Sequence, residues 1–111
     1  MRRVLSNWVF RSEEQLLHRA VVVLCDEYVG HYYQLEDDDM PMAEWLGGII
    51  FLTAKEDVVF PELVTLPFIK KMLLCEDEMP CYAYHIQGID IHSDIPFSSS
   101  LITRLEDDGD Y

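Results

Sequence analysis

Glu36, Asp37, Asp38 and Asp39 form an unbroken run of four carboxylates. Three kinds of chemistry use such a run. Clustered oxygens hold hard cations such as Ca²⁺ or Mg²⁺. Paired carboxylates act as general acid and base when their surroundings separate their pKa values. Acidic rims steer basic partners. The first use fails on spacing, because an EF-hand loop alternates its ligands around a central glycine and ends on a distant Glu. Here the acids are contiguous and no glycine interrupts them. The second lacks any pattern that singles out a perturbed pair. The third remains, against the plain alternative of a solvated loop, and the run is read as part of an acidic binding face.

The other reactive side chains do not converge on a motif. His18, His31, His85 and His92 show neither HxH nor HxxxH spacing, so no metal site is expected. Cys25, Cys75 and Cys81 lack CxxC spacing and are expected to be reduced thiols in the cytoplasm; a Cys75–Cys81 disulfide is the alternative, with no specific feature of the sequence supporting it. A Cys–His nucleophile would draw on Cys25 or Cys81 with His85 or His92. Cys25, however, ends the apolar run Ala20–Cys25, where a thiol is ordinarily buried and inert. Neither GxSxG nor a glycine-rich phosphate loop occurs,. The expectation is therefore a protein that is not an enzyme and that uses no cofactor.

The acids gather in three places: Glu36 to Asp39 with Glu44 nearby, Glu76, Asp77 and Glu78, and Glu106 to Asp110. Aromatic residues accompany each group. Tyr32, Tyr33 and Trp45 bracket the first, Tyr82 and Tyr84 follow the second, and Tyr111 closes the third. Tyr and Trp are the side chains that most often anchor protein interfaces. The expected partner-binding residues are Tyr33, Glu36, Asp37, Asp38, Asp39, Glu44, Trp45, Glu76, Asp77 and Glu78.

The whole chain supports that direction. It has 21 acidic and 8 basic residues in 111, a net charge of −13, which repels nucleic acid and anionic membranes and attracts basic proteins. No apolar run reaches the ~18 residues of a membrane span, and the first residues, MRRVLSNWVF, lack the pattern of a secretory leader. These features fit an acidic inhibitor that occludes a basic nuclease or other nucleic-acid-binding protein, in an immunity-protein or phage anti-defence setting. Carboxylates would stand in for phosphates, and a homodimer is compatible with this picture. The competing readings are a structural subunit of a larger assembly and, from another class, a small metal- or Cys-dependent enzyme.

With half its residues hydrophobic, the chain is long enough to fold as one small domain. Ser12 to Gln15, SEEQ, matches a capping box, and Leu17, Ala20, Val21, Leu24 and Tyr28 share a helical stripe. A helix over about 13–29, ending near Gly30, is predicted despite three consecutive valines that favour strand. A first strand over 4–10, a short helix PMAEWL closed by Gly47 and Gly48, a buried strand in GIIFLTA and a helix from Pro67 to about Leu74 follow. A strand carries Tyr82, Tyr84 and Ile86 on one face, a break falls at Gly88, and a last strand lies within SSSLITRL. Leu17, Val21, Leu24, Ile50, Leu52, Ile86 and Ile89 should be buried together. The fold class expected is α+β: a single small domain with one main N-terminal helix packed on a short, mostly antiparallel sheet.

Overall fold

The computed structural model describes residues 2–11, 16–26, 28–36, 42–55, 58–73 and 82–106. Among them the dominant element is a mixed sheet, ordered β3-β2-β1-β5-β7-β9. Its strands are β1 (Arg2–Phe10), β2 (Leu16–Cys25), β3 (Tyr28–Gln34), β4 (Glu44–Trp45), β5 (Ile49–Thr53), β7 (Tyr82–Ile86) and β9 (Ile102–Leu105). β4 lies parallel beside the first half of β1 and β5 parallel beside its second half, while the other pairs are antiparallel. A two-stranded ribbon of β6 (Leu63–Val64) with β8 (Phe97–Ser98) and one helix, α1 (Leu66–Leu73), complete the described elements.

The α+β expectation with a main N-terminal helix is thereby overturned. Residues 16–25 are strand β2, and residues 28–34 return as β3. The cause is burial on both sides. A strand sandwiched between neighbours, with both faces covered, reads as a continuous apolar run, and Ala20, Val21, Val22, Val23 and Leu24 are all buried. A helix would have buried one stripe of them. The capping-box residues Ser12 to Gln15 lie outside the described residues. The predicted helix PMAEWL is not helical where it is described: Glu44 and Trp45 are strand and pair with Val4 and Leu5, and Met42, Ala43 and Leu46 are irregular.

The sheet curls around an inner layer of aliphatic side chains: Val4, Val9, Ala20, Val22, Leu24, Ile50, Leu52, Ala83 and Leu105. The curl brings the start of β3 to β7, where the Tyr28 and Tyr82 rings lie 5.6 Å apart. The outer face of β5, β7 and the end of β1 carries Phe10, Ile49, Phe51, Tyr84 and Ile86, roofed by Val64, Leu66, Ile69 and Phe97 from the ribbon and α1. The outer face of β2 carries Val21 and Val23, which pack with Leu35, Leu5 and Ala43. The seven residues expected in one core are therefore divided. Leu24, Ile50 and Leu52 are inner, with Leu17 half-buried beside them. Val21 lies in the outer layer over β2, and Ile86 and half-buried Ile89 in the layer beneath α1.

Midway along β1 the alternation changes phase. Val4 points inward, but so does Val9, an odd number of residues later. The β1–β2 ladder passes from Ser6 and Ala20 to Trp8 and His18, leaving Asn7 and Arg19 out, and Arg19 has φ of 53°. The third strand adjusts at the same level. Val4 pairs with Glu44 but Trp8 with Ile49, so the β4–β5 side holds one residue more than β1 over this span. That extra residue is accommodated at Gly47 and Gly48, whose φ values are 67° and 60°.

Candidate functional site

The glycine pair forms a corner fastened from inside. Ser6 is fully buried, and its hydroxyl lies 3.0 Å from the Gly47 carbonyl and 2.8 Å from that of Gly48. A hydroxyl has one proton to donate, so it serves one carbonyl at a time. Buried His85 of β7 places Nε2 3.0 Å from the same Gly47 oxygen. A carbonyl only accepts, so this ring nitrogen carries the proton. Gly48 has no room for a side chain, since a Cβ there would collide with the Ile86 carbonyl oxygen. Ser6 and His85 both address the Gly47 carbonyl, which makes them braces of the corner and not a nucleophile with its base.

Outside the corner the surface opens into a cavity of about 330 Å³ lined by Asn7, Trp8, Gly48, Ile49, Ile89, Asp90, Ile91 and His92. Its size falls at the lower end of the roughly 300–1,000 Å³ usual for ligand sites. Trp8 is held from β2 by His18, with ring centroids 4.5 Å apart. Asp90 caps its own turn by accepting the His92 amide on Oδ1 at 2.8 Å. The other tryptophan is close by: the Trp45 indole lies 3.7 Å from where a Cβ on Gly47 would stand.

The cross-strand register groups two of the expected binding residues. Trp45 is opposite Leu5, Leu5 opposite Val21 and Val21 opposite Tyr33, so all four belong to one row across β4, β1, β2 and β3 and share the outer face. Three strand spacings of about 4.8 Å put Trp45 and Tyr33 on the order of 14 Å apart. Both are exposed, Trp45 by 56%, and Tyr33 stacks on His31 with centroids 5.5 Å apart. The connection that bears the acidic run begins and ends on this face, for Leu35 and Ala43 both pack there.

The expected acids fare differently. Glu36 is exposed beside Leu35. Glu44 grips Arg2 through both carboxylate oxygens, at 3.0 and 3.2 Å, while the same guanidinium donates to the Glu106 carbonyl at 3.0 Å. Glu44 thus fastens β4 to the start of β1. Asp37, Asp38 and Asp39 lie outside the described residues, as do Glu76, Asp77 and Glu78. Cys25, expected to be buried, is an exposed free thiol at the β2–β3 turn. His85, one of its two potential partners, is bonded to Gly47 in the β4–β5 connection. Among the described residues no three His, Cys, Asp or Glu side chains are grouped to hold a metal ion, and no helix is long and apolar enough to cross a membrane.

No family model, curated protein or solved structure matches this chain.

Reasoning from sequence alone missed Asn7, Trp8, Asp90 and His92 as cavity residues. The available signals were the adjacent glycines after Trp45 and the short Asp90–His92 segment just beyond the break at Gly88.

Proposed function

We propose that this chain is a binding protein for a basic protein, and that the outer surface of β4, β1, β2 and β3 makes the contact. The observation that carries this reading is the row Trp45–Leu5–Val21–Tyr33. It places two exposed aromatic anchors on one face. A chain of net charge −13 surrounds them. Aromatic anchors supply affinity once water is excluded, while surrounding carboxylates accelerate encounter with a cationic surface. The partners with the strongest cationic working surfaces are nucleases and other nucleic-acid-binding proteins. Occluding such a surface would inhibit it, in the manner of an immunity protein or an anti-defence protein.

The immobilised chain, exposed to native lysate at low and high salt, tests the reading. It should capture a basic protein at low salt and release much of it at high salt, because exposed charges are screened. The Trp45→Ala/Tyr33→Ala double variant should lose the capture at both salts while keeping its fold. Equal capture by that variant sinks the proposed face.

A second reading, a subunit of a larger assembly, has its own observation. Leu63 on β6 is 62% exposed, and Val59 and Ile95, on the segments leading into β6 and β8, are 90% and 74% exposed. Association through these residues would be insensitive to salt and abolished by Leu63→Ser/Ile95→Ser, with Trp45→Ala having no effect.

A further inference from the structure

The cavity beside the glycine corner is not one of the surfaces used above, and its lining is selective. Asp90 is its one carboxylate, and no lysine or arginine lines it among the described residues. The Asp90 bond to the His92 amide occupies part of one oxygen, whereas a carboxylate offers about four lone-pair sites. Trp8 contributes an indole, the side chain whose face most favours a cation. Asn7 contributes an amide oxygen. Ile49, Ile89 and Ile91 supply apolar walls suited to the methylene stem of a long side chain,. The shape is pre-formed, because Ser6 and His85 fix the Gly47 carbonyl and His18 backs Trp8. A pre-formed site avoids the ordering cost of assembling one on binding. An anion would meet repulsion from Asp90 and from the net charge of the chain,.

We infer that the cavity is a socket for a cationic side chain, a guanidinium above all, projecting from the basic partner; the inference rests on the binding reading given above. A planar guanidinium can stack on the indole and fork to the carboxylate at once, which a compact ammonium cannot do. The socket adjoins the proposed contact face, since Gly48 lines it and the Trp45 indole leans over neighbouring Gly47.

The test uses the intact ¹⁵N-labelled chain titrated with N-acetyl-arginine methylamide, a probe charged only at its guanidinium. Citrulline in the same blocked form is the neutral control. The Trp8 indole N–H and the Gly48 and Ile91 amides should shift saturably with the arginine probe and hardly at all with citrulline. Asp90→Asn retains an oxygen for the His92 amide but removes the charge, and it should weaken the arginine probe by about tenfold. Trp8→Leu, read at Gly48 and Ile91, should weaken it as well. Shifts dispersed over the acidic surface with the cavity signals still, or equal affinity in Asp90→Asn, overturn the socket. The two readings separate cleanly. Saturable binding of the probe in the cavity, with no salt-sensitive partner captured, leaves the socket standing and removes the protein partner. Capture that depends on Trp45 and Tyr33 but dissociates at the same rate from Asp90→Asn keeps the contact face and removes the socket.

Discussion

Where β1 runs beside β5, Phe10 joins a thick outer layer closed by α1 and the β6–β8 ribbon. Five residues earlier, where the same strand runs beside β4, Leu5 belongs to a smaller cluster with Val21, Val23, Leu35 and Ala43. The thick half contains Phe51 stacked on Tyr84 at 5.3 Å and met edge-on by Phe60 at 6.3 Å. The thin half leaves Trp45 and Tyr33 exposed. One half of the outer surface is thus covered by a second layer, and the other presents large side chains to solvent. The phase change at Asn7 and Arg19 divides them, and the cavity lies at that division.

The sharpest way to break this contrast is to cut each half. Phe51→Ala should cost about 3–5 kcal/mol, seen as a large fall in the denaturation midpoint. Leu35→Ala should cost about 2 kcal/mol, the low end for a buried leucine, because fewer neighbours surround it. Equal costs would mean that the two layers are energetically alike.

The corner between the halves comes next. Gly48 and Gly88 have similar φ values, 60° and 71°, yet a Cβ on Gly48 meets the Ile86 backbone while one on Gly88 meets nothing within 4 Å. Gly88→Ala should cost about 1 kcal/mol from the left-handed backbone alone. Gly48→Ala should cost more than about 2 kcal/mol, since overpacking adds to the same strain. Thermal unfolding of the two variants separates the contributions.

On the thin half, Trp45→Ala should change stability by no more than about 0.5 kcal/mol and yet cost about 2 kcal/mol or more of partner affinity, appearing chiefly as faster dissociation. The smallest effect expected is that of Arg2→Ala. An exposed ion pair contributes at most about 1 kcal/mol, so global stability should barely move. Amide exchange should nonetheless quicken at Leu46, whose N–H donates to the Leu5 carbonyl at 2.9 Å, because β4 loses the grip of Glu44 on Arg2.

Local patterns determined several elements. The alternation of Tyr82, Tyr84 and Ile86 gave strand β7 with those three side chains in one layer, and the run Ile49–Thr53 gave β5. Pro67 at the start of a helix fits α1, because the first turn needs no proline N–H,. The candidate site was half legible. The acidic and aromatic composition marked Trp45 and Tyr33, but only the register showed that they share a row.

The remainder was decided in three dimensions. The segment 12–28 carries a capping-box start, a helical stripe and a run of valines, so local preferences conflict. The conflict was resolved by β1 and β3 on either side of β2 and by apolar layers on both its faces, contacts that local propensity does not encode. The cavity is more remote still from any local pattern. Trp8, Gly48 and Asp90 come together only because β1 and β5 lie parallel and in contact, and because Ser6 and His85 turn the chain sharply at Gly47. The sequence alone therefore determined which residues are apolar, acidic or free to turn. Which of them face one another was settled by strand pairing between residues tens of positions apart, where each strand's burial depends on its neighbours.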